Sequence, residues 1–204
     1  MKLRIIALTV LLASALLFGA APARAQYKVK NLVSNQAGTA PVTDPLIVNA
    51  WGLAYGPGGP FWISDQGSGW STLYTNTGTK VPLNVLIPTA GGDGPGSPTG
   101  IVFNGSSDFK IKGAPAIFIF ATIDGTISGW NPGVNPDAAV VAVTRPGAVY
   151  TGLAITTNPL GNFIFAADNA NNKVDMYDGT FTLVKSFTDT TLPAGNAPFG
   201  IQDS

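Results

Sequence analysis

The chain has 204 residues, of which only 11% are charged, with 11 basic side chains balanced by 11 acidic ones. It contains no His and no Cys, and every acid is Asp, so Ser-His-Asp and Cys-His nucleophilic machinery, disulfides and the usual zinc ligand sets are excluded from it. Its 25 Gly and 16 Pro, mixed with many Val, Ile, Thr and Phe, point to an all-β protein.

Residues 1–25 have the three-part layout of a secretory signal peptide. Lys2 and Arg4 make a positive start, Ile5 to Phe18 is apolar, and Ala23-Arg24-Ala25 is a small-x-small cleavage site before Gln26. The apolar run is short of the roughly 20 residues of a spanning helix. No Cys follows it to carry a lipid, so the expected location is periplasmic or extracellular after cleavage. No later stretch is apolar enough to predict a membrane span. Removing Lys2, Arg4 and Arg24 leaves 8 basic residues against 11 acidic, which gives no basic face for nucleic acid.

From Gln26 the chain reads as strands. Tyr27 to Val33 is expected to be an outer strand, followed by a loop to residue 48. Then a pattern repeats: Gly52, Gly100, Gly152 and Gly200 are each followed by apolar or near-apolar residues, at spacings of 48, 52 and 48. Within each unit a second strand is predicted over Phe61 to Asp65, Ile117 to Thr122 and Phe163 to Asp168. A third follows over Ser71 to Tyr74, Thr126 to Trp130 and Lys173 to Tyr177. A fourth closes the unit over Leu83 to Ile87, Ala139 to Val143 and Leu183 to Phe187. Four short strands in about 50 residues, with Gly, Pro, Asn and Asp between them, is the pattern of a β-propeller blade. A β-sandwich does not require such a period, and a β-helix has a much shorter one.

The expected organisation is therefore a closing strand and loop (26–48), blades at 49–96, 97–148 and 149–196, and the start of another at 197–204. Three blades do not close a ring, because even small propellers have about four. The expectation is a partial ring, belonging to a longer protein or assembling with another copy.

Several runs carry a resemblance: Asn31-Leu32-Val33-Ser34-Asn35-Gln36, Asn49-Ala50-Trp51-Gly52-Leu53-Ala54, Pro98-Thr99-Gly100-Ile101-Val102-Phe103-Asn104-Gly105, Ile119 to Trp130, and Leu192 to Phe199. Over essentially all of the mature chain these resemble an uncharacterised family of exported bacterial propellers with NHL-like repeats. The resemblance implies four-stranded blades and a ring of about six of them. It implies no activity.

Candidate site residues follow from the blade pattern. Loops entering the inner strands converge at the channel mouth, which places Asn49, Trp51, Thr99, Thr151 and Phe199 there as candidate ligand-binding residues. The plainer reading of Trp51 and Phe199 is packing between blades. Asp65 and Asp168 hold equivalent positions at the ends of second strands, and their oxygens suit calcium; the plainer reading is turn capping. Asp124-Gly125 reads as a hairpin turn. Gly91 to Gly96 lacks the Lys-Ser/Thr of a phosphate loop and reads as a linker. Asn104-Gly105-Ser106 fits a glycosylation sequon.

No cofactor is evident apart from that candidate calcium. The residue types present favour a non-catalytic exported scaffold that binds a protein, a glycan or a small ligand. The alternatives are a calcium-dependent, lactonase-like propeller hydrolase completed by further blades, and a truncated product with no function of its own.

Overall fold

The computed structural model describes residues 27–203, so the expected signal peptide lies outside the described residues. The chain divides into two units, Met1–Lys30 and Asn31–Ser204. Of the first, residues 27–30 form no strand and are exposed. The second is built of strands, and among the described residues no helix is long and apolar enough to cross a membrane.

Two short strands, β1 (Val33–Ser34) and β2 (Val42–Thr43), pair in parallel. Three four-stranded antiparallel sheets follow, each a simple meander from the inner to the outer strand. The first blade is β3 (Ala50–Tyr55), β4 (Phe61–Asp65), β5 (Trp70–Tyr74) and β6 (Lys80–Leu86). The second starts with β7 (Pro98–Phe103), carries a small hairpin of β8 (Lys110–Ile111) and β9 (Ala114–Pro115), and continues as β10 (Phe118–Thr122), β11 (Thr126–Trp130) and β12 (Val140–Thr144). The third is β13 (Tyr150–Asn158), β14 (Gly161–Asp168), β15 (Lys173–Asp178) and β16 (Leu183–Phe187). The four-strand blades expected from the repeat are all present.

The second blade is apolar on both faces because it is sandwiched between the first and third, and strand alternation sends successive residues to opposite sides. Trp62 and Leu73, paired across β4 and β5, face the second blade, where Trp62 stacks on Phe118 at 4.2 Å and lies 4.7 Å from Trp130. Phe118 and Phe120 of β10 complete that core. The alternate residues Ile119 and Ala121, with Ile127 of β11, face the third blade and meet Tyr150, Ile164, Ala166 and Tyr177.

One expectation needs correction. Residues Tyr27 to Leu32 form no strand; only Val33–Ser34 does, and its partner is Val42–Thr43 rather than a blade edge. The physical reason is that the segment after Asn31 lies on the face of the first blade. Tyr74 donates its hydroxyl hydrogen to Asp44 at 2.6 Å, Ser68 donates to the Leu46 carbonyl at 2.6 Å, and Leu32 and Val48 abut Gly78 and Gly67. The connection from β7 to β10, for which the repeat pattern makes no prediction, is fourteen residues (104–117) and holds the β8–β9 hairpin. Lys112 and Gly113 both have positive φ at its turn, and its root buries Phe109 and Ile111 between the second and third blades.

The inner strands approach closely. A Cβ at Gly52 would collide with the Thr99 carbonyl, one at Gly100 with the backbone nitrogen of Leu153, and one at Gly152 would stand 2.8 Å from the Phe199 carbonyl oxygen. The repeat glycine is thus a backbone-spacing residue. Gly100→Ala is expected to lower the unfolding free energy by about 2 to 3 kcal/mol through overpacking. Gly59→Ala, whose new methyl meets nothing closer than 3.5 Å, should stay near neutral. Urea unfolding of both variants checks this, and equal losses would contradict it.

Candidate functional site

The candidate mouth residues lie where the chain enters the inner strands. Trp51, one residue before the repeat glycine of β3, reaches past the second blade. Its indole N–H donates to the Thr151 carbonyl at 3.0 Å, a hundred residues away in sequence. Its ring stacks on Phe199 at 5.3 Å between centroids with 27° between planes. The Thr151 hydroxyl donates to the Phe199 carbonyl at 2.8 Å. Three of the five candidate mouth residues therefore meet in one cluster. The rings remain solvent-accessible, Trp51 being 37% and Phe199 56% exposed.

Thr99 is fully buried, and its hydroxyl donates to the Tyr150 carbonyl at 2.6 Å, joining the second inner strand to the third. Asn49 sits at the exposed rim with φ of 51°, a left-handed conformation that Asn tolerates, and its amide donates to Gln66 Oε1 at 2.8 Å. Asn169 adds a second rim amide, donating to the Pro198 carbonyl at 3.2 Å. The lining is aromatic rings, amides and hydroxyls, without a charged head group among these residues.

Asp65 and Asp168 each end the second strand of their own blade, both buried. Asp168 accepts the Val149 N–H at 3.1 Å and the Asn171 amide at 2.8 Å, with Lys173 Nζ at 3.7 Å. Asp65 accepts the Thr72 hydroxyl at 2.7 Å on one oxygen, while the other is buried without a partner. Among the described residues no cluster of three or more carboxylates comes together around a metal-sized space. Asp124 fits the turn reading: Gly125 has φ of 75°, and the carboxylate accepts the Ser97 N–H at 2.7 Å. The Asn104 amide of the sequon is buried and donates to the Ala116 carbonyl at 2.8 Å, so a glycan on that nitrogen is incompatible with this loop.

Two polar networks are absent from the sequence expectations. Asp44, held by Tyr74 and by Lys80 at 2.5 Å, lies beside the first blade. Burial raises its pKa, but Lys80, Tyr74 and the Leu46 N–H outweigh that and hold the carboxyl below its ordinary range. In the third blade Tyr150 donates to Asp175 at 2.9 Å and lies 2.6 Å from the Tyr177 hydroxyl, while Ser186 and Lys173 complete the carboxylate's shell. Here too burial is outweighed, by Ser186, Lys173 and Tyr150, and Asp175 is held low. The signal was available: Asp175 and Tyr177 are two apart on one strand, hence on one face.

Asp65 titrates in the opposite sense. Burial pushes its carboxyl up to about 7, against the pull of the Thr72 hydroxyl and with the nearby Asp44 charge adding to the rise. Between the ordinary carboxylate value and about 7 the folded state holds more protons than the unfolded one, so this group makes stability fall as pH rises through that window. Asp65→Asn keeps an acceptor for Thr72 and removes the titration. Its Tm relative to wild type is expected to rise from about pH 4 to about pH 8; a difference independent of pH would contradict the assignment.

No family model matches the chain. Two uncharacterized proteins of Acanthamoeba polyphaga mimivirus are similar to it: R648, 26% identical over 90% of this chain and 48% of its own length, and L690, 28% identical over 80% and 44%. The chain thus spans about half the length of these curated relatives. Among solved structures, virginiamycin B lyase from Staphylococcus aureus matches with a TM-score of 0.54 at 14% identity, covering 76% of this chain and 45% of that one. Kuenenia stuttgartiensis hydrazine synthase matches with a TM-score of 0.51 at 16% identity, covering 76% and 40%. At such identities the likeness concerns the fold alone, and that fold is the β-propeller.

Proposed function

We propose that this chain is part of an exported, non-catalytic propeller scaffold of the NHL-like type, and that its aromatic channel mouth binds a neutral glycan. The observation that carries this is the meeting of Trp51, Thr151 and Phe199 across three separate repeats. Two partly exposed rings supply flat apolar surface, and the Asn49, Gln66 and Asn169 amides around them supply hydrogen bonds without charge. That combination suits the apolar face and hydroxyl edge of a sugar ring better than an ionic ligand. The lack of His, Cys and Glu in the chain supports a binding role over hydrolysis. The layout of residues 1–25 supports export.

A microarray of neutral oligosaccharides, followed by calorimetric titration of the best binder, tests this. Trp51→Ala is expected to weaken binding at least about tenfold, roughly 1.4 kcal/mol. Asn49→Ala should weaken it less. Failure to retain any oligosaccharide, or wild-type affinity in Trp51→Ala, would overturn the proposal.

A further inference from the structure

The other end of the inner strands is built differently. There two adjoining cavities, of about 470 and about 590 Å³, share Phe103, Ile155 and Asp203 in their walls. Each is within the range of small-molecule sites, about 300 to 1,000 Å³. The apolar floor comes from one repeat position, the residue after each repeat glycine: Leu53, Ile101, Leu153 and Ile201. Leu53 is 61% exposed there.

The rim is polar, and the hydroxyl hydrogens of Thr157 and Ser106 are already committed. The Thr157 hydroxyl donates to Asn162 Oδ1 at 2.6 Å, and the Ser106 hydroxyl donates to Asn104 Oδ1 at 2.7 Å. The Asn162 amide donates to Asp108 at 2.7 Å. What those two hydroxyls still offer is oxygen lone pairs, that is, acceptors, while Asn162 keeps a second amide hydrogen and Gln202 adds an amide to the lining. The one charged residue in the lining is Asp203, also an acceptor, and no Lys or Arg faces either cavity. The carboxylate and the free lone pairs favour a ligand with an apolar body and a head that donates hydrogen bonds and carries no negative charge.

We propose that this end of the channel is a second binding site, for an apolar small molecule with a hydrogen-bond-donating, non-anionic head. It is separate from the glycan reading, because it uses none of the mouth residues.

The purified chain titrated with the neutral fluorophore N-phenyl-1-naphthylamine should give a saturable rise in emission. Dodecylamine and dodecanol, below their aggregation limits, should displace it at least about tenfold more effectively than dodecanoate, which has the same tail and an anionic head. Leu53→Asp should abolish the signal. Thr157→Trp, at an exposed rim position that leaves the core intact, should block it without changing Tm. Trp51→Ala should leave it unchanged even where it abolishes glycan binding. A non-saturable signal, equal displacement by dodecanoate, or wild-type dye binding in both Leu53→Asp and Thr157→Trp would overturn the proposal.

Discussion

The close approach of the inner strands is the constraint on which the rest of this molecule depends. At Gly52, Gly100 and Gly152 the next inner strand lies where a side chain would otherwise stand. Backbone-to-backbone proximity sets the rotation from blade to blade, and that rotation decides which faces meet. The threonines beside two of these glycines use the same proximity. Thr99 and Thr151 each donate to a carbonyl of the following repeat, so that the glycine gives the spacing and the hydroxyl holds it.

Packing between the blades then follows from alternation, but the two interfaces are filled differently. Between the first and second blades the core is aromatic, with Trp62 against Phe118, Phe120 and Trp130. Between the second and third it is mostly aliphatic, with two tyrosines whose hydroxyls must be satisfied in the interior. Asp175 answers that need, and Ser186 and Lys173 answer the need that Asp175 creates in turn. Burying such a network is neutral only while it is complete, since a lone buried polar group costs about 1 to 3 kcal/mol. The first blade accepts an incomplete one: the free oxygen of Asp65 and the hydroxyls of Ser64 and Ser71 have no partner. The raised pKa of Asp65 is the same deficit seen as a proton affinity.

The propeller was legible because a blade is a local object. Its strands are adjacent in sequence, its turns carry Gly, Asn and Asp, and its period shows as soon as the glycines are aligned. The β11 and β16 bounds, Thr126–Trp130 and Leu183–Phe187, coincide with the strands read from the pattern. What failed was non-local. Tyr27 to Val33 alternates like a strand, yet a strand exists only where an edge accepts it, and the segment after Asn31 lies on a blade face instead. The same limit applies to the candidate site. Sequence position placed Trp51, Thr151 and Phe199 at one mouth, but only the blade rotation makes the indole reach Thr151 and exclude Thr99 from the surface.

The two ends of the inner strands differ for a reason that can be traced to the register of the repeat. Before each glycine stand residues that point across the entry loops, and two of those positions carry aromatic rings large enough to span toward each other. After each glycine stand Leu or Ile; Ile101 and Leu153 are buried in the cores between blades, and Leu53 borders the open space. One glycine position thus separates a ring-covered end from an open apolar one. The positions on either side of the glycine therefore serve the fold as well: Thr99 and Thr151 tie the inner strands together, and Ile101 and Leu153 belong to the cores between blades.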